Sequence, residues 1–556
     1  MNFTRIATVS TLALGLVLAF LGAVEAHADE AGGITVADVM RVQNCTAAEI
    51  SPDGRWIAYT LSVPRGMDEE AGSAYSELHV VETATGRSRP FVTGKVNVRS
   101  PQWSPDGTRI AFLTRRAPAT HTQVWALPLD GGEAQAITRA ESNVLRFRWH
   151  PDGSRVLYIA TTPAGKTERD LARRGFDFVF FEENLSHRNL YVAAGDGGEI
   201  RQLTQDITVW EIEVSPDGRH VAFSATEKNL VDHEYMFKQI HILDLEAGEA
   251  RQLTRHQGKL EGFAFSPDSK HVAFNASRDM ADHAASQAWV IPTAGGDARN
   301  LTAPDFPGHV NWMGWQDNRT LLVHTSEGVW NHLRTAPLAG GAWGMVLDGA
   351  REGVVFRAPS TSRDGSSFAL LGTTPDVPSS VYTWTRRAPL RRLTDHNPWL
   401  AQRRLARQEV IRYPARDGVE IEGLLVYPLD YEQGKRYPLI VSVHGGPEAH
   451  HSNGWLTPTT TRPRLWRPGA TWCSTPITGP APATGWSSPW WASATPPVWS
   501  STTWPTASPT WSSRGSPTRS GSALAAVPTA AMRPPGSPPA TPRWCAPSPC
   551  SWESAT

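Results

Sequence analysis

The chain has 556 residues, a formal charge of -1 and a pI near 7.0, which excludes an electrostatic bias towards nucleic acid or anionic membrane. Its length admits two or more domains with sizeable cores. The four cysteines, Cys45, Cys473, Cys545 and Cys550, build no disulfide framework, and neither a metal nor a cofactor is expected.

At the N-terminus Arg5 precedes an apolar run from Leu12 to Val24, and Ala26-His27-Ala28 places small residues where signal peptidase cuts. Residues 1–28 are therefore expected to be a secretory signal, giving a periplasmic or secreted protein with no membrane attachment after cleavage. A membrane anchor is the alternative, but the run is short for a bilayer and the Ala-x-Ala follows at once.

A turn signature then recurs: Ser51-Pro52-Asp53-Gly54, Ser104-Pro105-Asp106-Gly107, His150-Pro151-Asp152-Gly153, Ser215-Pro216-Asp217-Gly218 and Ser266-Pro267-Asp268-Ser269, with degenerate copies at Gln316-Asp317-Asn318 and Arg363-Asp364-Gly365. Proline sets the first turn dihedral and Asp-Gly the reversal, so each copy predicts a hairpin. Short apolar strands such as Ile110-Ala111-Phe112 follow, and a second motif ending in Leu-Thr interleaves, as at Leu203-Thr204, Leu253-Thr254 and Leu301-Thr302. Successive Asp positions differ by 53, 46, 65, 51, 49 and 47. A period near 50 with about four strands per unit predicts an all-β propeller over residues 37–400, with seven blades and eight as the alternative count.

The longest interval contains an insertion, Phe176-Asp177-Phe178-Val179-Phe180-Phe181-Glu182-Glu183-Asn184. Adjacent acids beside aromatics can receive the ammonium of a peptide through charge-assisted hydrogen bonds. Ordinary surface acids on a solvated loop are the competing reading of Glu182 and Glu183.

From Glu409 the pattern changes to Val410-Ile411-Arg412-Tyr413, Asp417-Gly418, Ile421-Glu422-Gly423-Leu424-Leu425-Val426-Tyr427-Pro428, and then Tyr437-Pro438-Leu439-Ile440-Val441-Ser442-Val443-His444-Gly445-Gly446-Pro447. A β-branched run ending in His-Gly-Gly is a buried strand leaving its sheet with bare backbone exposed, the build of half an oxyanion hole. This segment after a propeller resembles the prolyl oligopeptidase family of serine peptidases, in its dipeptidyl-peptidase or acylaminoacyl-peptidase branches, and the resemblance covers residues from about 37 to 455. It implies an α/β-hydrolase domain beginning at 405–456, a Ser…Asp…His triad and short-peptide substrates. It places Gly445 and Gly446 in the oxyanion loop and assigns Glu182 and Glu183 to substrate-amine binding. His444 opens the loop and is not the triad base, which comes last in the chain.

Residues 457–556 depart from the family. They contain no Asp, His, Lys, Asn, Gln, Tyr or Phe, one acid at Glu553, and ten of the 23 Trp among Ser, Thr, Pro, Ala and Gly. Neither strand nor helix periodicity is present, and these 100 residues are expected to be disordered. The last Asp is Asp430 and the last His is His451, so no triad in family order can be drawn within these residues.

If each codon is read from the third base of the preceding one, Pro468 to Thr478 permits A-R-G-Y-V-V-F-Y-P-N-Y. The same shift lets Ala525 to Gly536 permit G-G-S-S-Y-G-G-Y-A-T-A-W, which contains the nucleophile elbow G-x-S-x-G. A frameshift near residues 456 to 459 is therefore expected, with a Pro/Ser/Thr-rich stalk as the alternative. The expected function is an exported serine peptidase by lineage, inactive as written for want of a triad. A non-enzymatic periplasmic propeller that only binds is the alternative.

Overall fold

The computed structural model describes residues 32–176, 182–183, 185–444 and 449–456, except the side chain of Val443, and the backbone alone of Thr471–Thr475 and Leu524–Ala531. The expected signal at 1–28 lies outside the described residues, as does most of the tail for which disorder is expected.

Seven antiparallel sheets follow one another along the chain, over residues 44–92, 99–136, 144–202, 208–252, 260–300, 309–348 and 355–392. These are the blades of a seven-bladed propeller, numbered 1 to 7 in that order. Each blade joins the next through an apolar core of its own. Ala111, Leu113 and Val124 of blade 2 pack on Phe147, Val156 and Tyr158 of blade 3, and Leu322 and Leu333 of blade 6 pack on Phe356, Phe368 and Leu370 of blade 7. Among the described residues no strand is exchanged to close the ring. Blade 7 instead meets blade 1 through Cys45, Ile57, Tyr59, Ala369, Leu371 and Val381, and Asn397 clamps the Gln43 backbone with hydrogen bonds of 2.9 and 2.7 Å.

The repeated turn is explained atom by atom. In blade 4 the Ser215 hydroxyl, wholly buried, donates to Asp217 Oδ1 at 2.5 Å and accepts the His220 N–H at 2.9 Å. Asp217 accepts the Arg219 N–H at 3.0 Å, and Gly218 takes φ +74°, which glycine adopts without strain. The same bonds recur at Ser51, Ser104, Ser266 and Ser362. Ser269 stands where five of the other six copies have glycine and takes φ +61°; its hydroxyl accepts the Asp217 N–H of blade 4 at 3.2 Å.

The Leu-Thr ending has an equally local cause. Thr204, Thr254 and Thr302 each accept, through the hydroxyl, a backbone N–H of the neighbouring strand, from Leu190, Ile240 and Ala288 at 2.9, 2.9 and 2.8 Å. The blade's fourth strand thus stops with its neighbour's donor satisfied.

Beyond the ring, strands Gln408–Pro414, Glu420–Val426 and Arg436–Val443 join the two tail segments in a five-stranded sheet in which Thr471–Thr475 lies between Glu420–Val426 and Arg436–Val443. Thr471–Thr475 runs parallel to Arg436–Val443, whereas Leu524–Ala531 runs antiparallel to it on the other side. The chain before the ring returns to the chain after it: Arg404 N–H donates to Gly32 O at 2.8 Å, and Arg403 pairs with Asp38 at 2.9 Å.

Candidate functional site

Four antiparallel strands per blade, the first of blade 7 split into Val355–Phe356 and Ser360–Thr361, put every connection between second and third strands on one face of the ring. The long connections lie there: residues 64–74 in blade 1, 162–187 in blade 3, 227–238 in blade 4 and 278–285 in blade 5. They carry the exposed apolar side chains Met67, Phe176, Leu185, Val231, Phe237 and Met280, a composition suited to meeting another surface.

The sheet of residues 408–443 docks on this same face, at blade 6. There the chain turns at Gly328-Val329. The Glu422 carboxylate, 6% exposed, enters the turn, accepts the Val329 N–H at 2.9 Å and pairs with Arg412 at 3.0 Å. A Cβ at Gly328, whose φ is +61°, would stand 2.2 Å from Glu422 Oε2. Around this contact Val329 packs with Ala406, Leu424, Val426 and Leu456, and Trp455 N–H reaches Thr373 Oγ1 at 3.0 Å.

Strand Arg436–Val443 delivers His444 to this interface, its ring 6.4 Å from that of His451. Burial, followed by His444 and His450, pushes His451 down to about 4; burial and then His444 lower His450 as well. Both rings are therefore neutral near pH 7. Among the described residues no cluster of His, Cys, Asp and Glu is placed to hold a metal. Gly445 and Gly446, the expected oxyanion glycines, lie outside the described residues.

Glu182 and Glu183 sit on the blade 3 connection, hence on the docking face, and both are exposed. Glu182 takes a left-handed φ of +60°, a conformation uncommon for a non-glycine residue. Blade 3 lies across the ring from blades 6 and 7, and neither acid lines the cavity beside the docked sheet.

That cavity, of ≈1210 Å³, opens between the 64–74 connection, blades 6 and 7, and the segment carrying His450, Ser452 and Trp455. On its wall Asn311 and Asn331 both donate to Ser326 Oγ, at 2.8 and 2.9 Å. Buried His324 donates from Nε2 to Phe356 O at 3.0 Å, fixing the backbone next to Arg357, and burial pushes its own value down to about 4. Sequence reasoning missed all of these residues. The only available signal was a lone acid, Glu422, inside the apolar strand Ile421 to Val426.

No family model matches the chain. The uncharacterized peptidase YuxL of Bacillus subtilis is 28% identical over 489 residues, covering 76% of this chain and 68% of that protein. Dipeptidyl-peptidase 5 of Porphyromonas endodontalis is 22% identical over 436 residues, 73% of this chain and 62% of that one. The chain is related to the prolyl oligopeptidase family of serine peptidases. Among solved structures, an acylaminoacyl peptidase in complex with Z-Gly-Gly-Phe-chloromethyl ketone superposes with a TM-score of 0.60 at 16% identity, over 78% of this chain and 65% of that one, which is a likeness of fold. This peptidase relative spans about two thirds of the length of each of these proteins, at 68%, 62% and 65%.

Proposed function

We propose that the chain descends from an exported serine peptidase that hydrolyses short peptides, of the dipeptidyl- or acylaminoacyl-peptidase kind, and that as written it is inactive. The observation that carries the lineage is the placement of the strand ending at His444: outside the ring, on the face where the blade connections gather, beside a cavity large enough for a peptide. In such an enzyme a serine attacks the scissile carbonyl, a histidine moves the proton, an aspartate orients the histidine, and backbone N–H groups at Gly445 and Gly446 hold the oxyanion. Glu182 and Glu183 would receive the substrate ammonium, a role supported by their face of the ring and the left-handed φ of Glu182.

Inactivity rests on residues 457–556, which supply neither an Asp nor a His. Export rests on residues 1–28. Purified chain incubated with aminoacyl and dipeptidyl p-nitroanilides should release no nitroaniline above buffer; turnover abolished by a serine-directed inhibitor would refute the proposal. A binding-only propeller is the second reading, favoured by a ring whose seven inter-blade cores all lie within residues 45–393 and need nothing from the tail.

A further inference from the structure

The cavity wall has a composition that none of the roles above uses. Asn311 lies near the start of the first strand of blade 6, Ser326 near the end of the second and Asn331 near the start of the third, so three strand ends converge. Both asparagines spend an amide N–H on Ser326 Oγ. Each retains an amide oxygen, and the serine retains its proton. Two acceptors and one donor at one spot complement the N–H and C=O of a peptide unit. On the adjacent blade Arg357 lines the same cavity, is exposed, and among the described residues has no partner for its guanidinium. Arg65, the other cation there, is already engaged: it donates to Ser73 O at 2.9 Å and Glu70 O at 3.2 Å and lies over the Tyr75 ring. A planar guanidinium without a partner matches the geometry of a bidentate carboxylate.

We propose that this cavity is a peptide subsite in which Asn311, Ser326 and Asn331 hold one backbone amide group and Arg357 takes the C-terminal carboxylate. The inference rests on the peptidase reading and narrows it to peptides short enough for their free carboxyl end to lie beside the docked sheet.

The test uses the full chain and two probes, trialanine and trialanine C-terminal amide, followed by calorimetric titration. Trialanine should bind roughly tenfold or more tightly than its amide, the worth of a charge-assisted pair. Arg357→Gln, an exposed substitution that leaves the fold alone, should bring trialanine down to the amide's affinity. Asn331→Ala should weaken both probes by a similar factor. Equal binding of the two probes, or a carboxylate preference that survives Arg357→Gln, overturns this inference while leaving the peptidase reading in place. Binding of neither probe overturns this inference too, whereas the peptidase reading is tested separately by the nitroanilide assay.

Discussion

Replacing Glu422 by alanine tests whether the sheet after the propeller is seated on blade 6 by one carboxylate. The substitution removes the acceptor of the Val329 N–H, and Val329 is wholly buried. A buried amide left without an acceptor costs about 1–3 kcal/mol, and the charged character of this bond puts it in the upper part of that range. The lost ion pair adds little, because the Arg412 side chain is 65% exposed and keeps Glu420 at 3.5 Å. Around 2 kcal/mol corresponds to roughly thirtyfold in an opening equilibrium. Hydrogen exchange at the Val329 amide should accelerate by about that factor in Glu422→Ala, while amides of blade 4 exchange as before. Glu422→Gln keeps a carbonyl oxygen in the turn and should recover most of the protection. Unchanged exchange at Val329 in the alanine variant, or a glutamine variant as unprotected as alanine, would refute the seating argument.

Two further outcomes follow from the ring itself. Ser215→Ala removes a buried hydroxyl that joins Asp217 to the His220 N–H and should destabilise the propeller by about 1–3 kcal/mol, whereas Ser366→Ala, at an exposed turn hydroxyl, should leave the denaturation midpoint nearly unchanged; equal effects of the two would remove the turn explanation. Acid should unfold the ring in two stages. His324, held at about 4 by burial against an ordinary 6.5, takes up its proton later than in the unfolded chain, so stability is full above about pH 6.5 and declines towards pH 4. Asp152, whose burial raises it but is outweighed by hydrogen bonds from Ser154 and His150, and Asp364, held by Ser362 and Ser366, sit at about 2 against 3.8, so a second decline follows between about pH 4 and 2. A melting temperature flat from pH 7 to 4 would contradict the histidine stage.

The blades were legible because each is written locally. The serine and aspartate of each Ser-Pro-Asp-Gly turn and the threonine of each Leu-Thr ending close their defining bonds within their own blade, so a period in the sequence is a period in space. The 162–187 insertion was legible as an excess of length, and the structure adds a helix at Lys166–Arg173 and the face on which the connection lies. The peptide-complementary wall was not legible. Asn311, Ser326 and Asn331 are separated by 15 and 5 positions, and Arg357 belongs to the next blade. What unites them is the convergence of strand ends at one face, which no local pattern announces. Glu422 shows the same limit: its strand is recognisable by the apolar run Leu424-Leu425-Val426, yet its partner at Val329 stands 93 residues away.

The sheet beyond the ring bears on the proposed change of frame. A hydrolase layer needs parallel strands joined by crossovers, and the strand that fits is Thr471–Thr475, parallel to Arg436–Val443 and registered from Leu439 against Thr471 to Val443 against Thr475. Those five positions are the ones for which the alternative frame permits Tyr-Val-Val-Phe-Tyr, residues that favour a buried strand, where the printed chain has Thr-Trp-Cys-Ser-Thr. Leu524–Ala531 overlaps the stretch where the alternative frame permits the nucleophile elbow, yet it runs antiparallel to Arg436–Val443, a direction from which a strand-to-helix elbow cannot present its serine at the strands' carboxyl ends beside His444. We therefore expect that a gene restored to the alternative frame from about residue 457 yields a protein that hydrolyses dipeptidyl p-nitroanilides and is labelled by a serine-directed phosphonate. The printed chain, made alongside it, should do neither. Equal labelling of the two, or coding DNA whose frame at this junction matches that of intact relatives, would mean that the tail was never a displaced catalytic half.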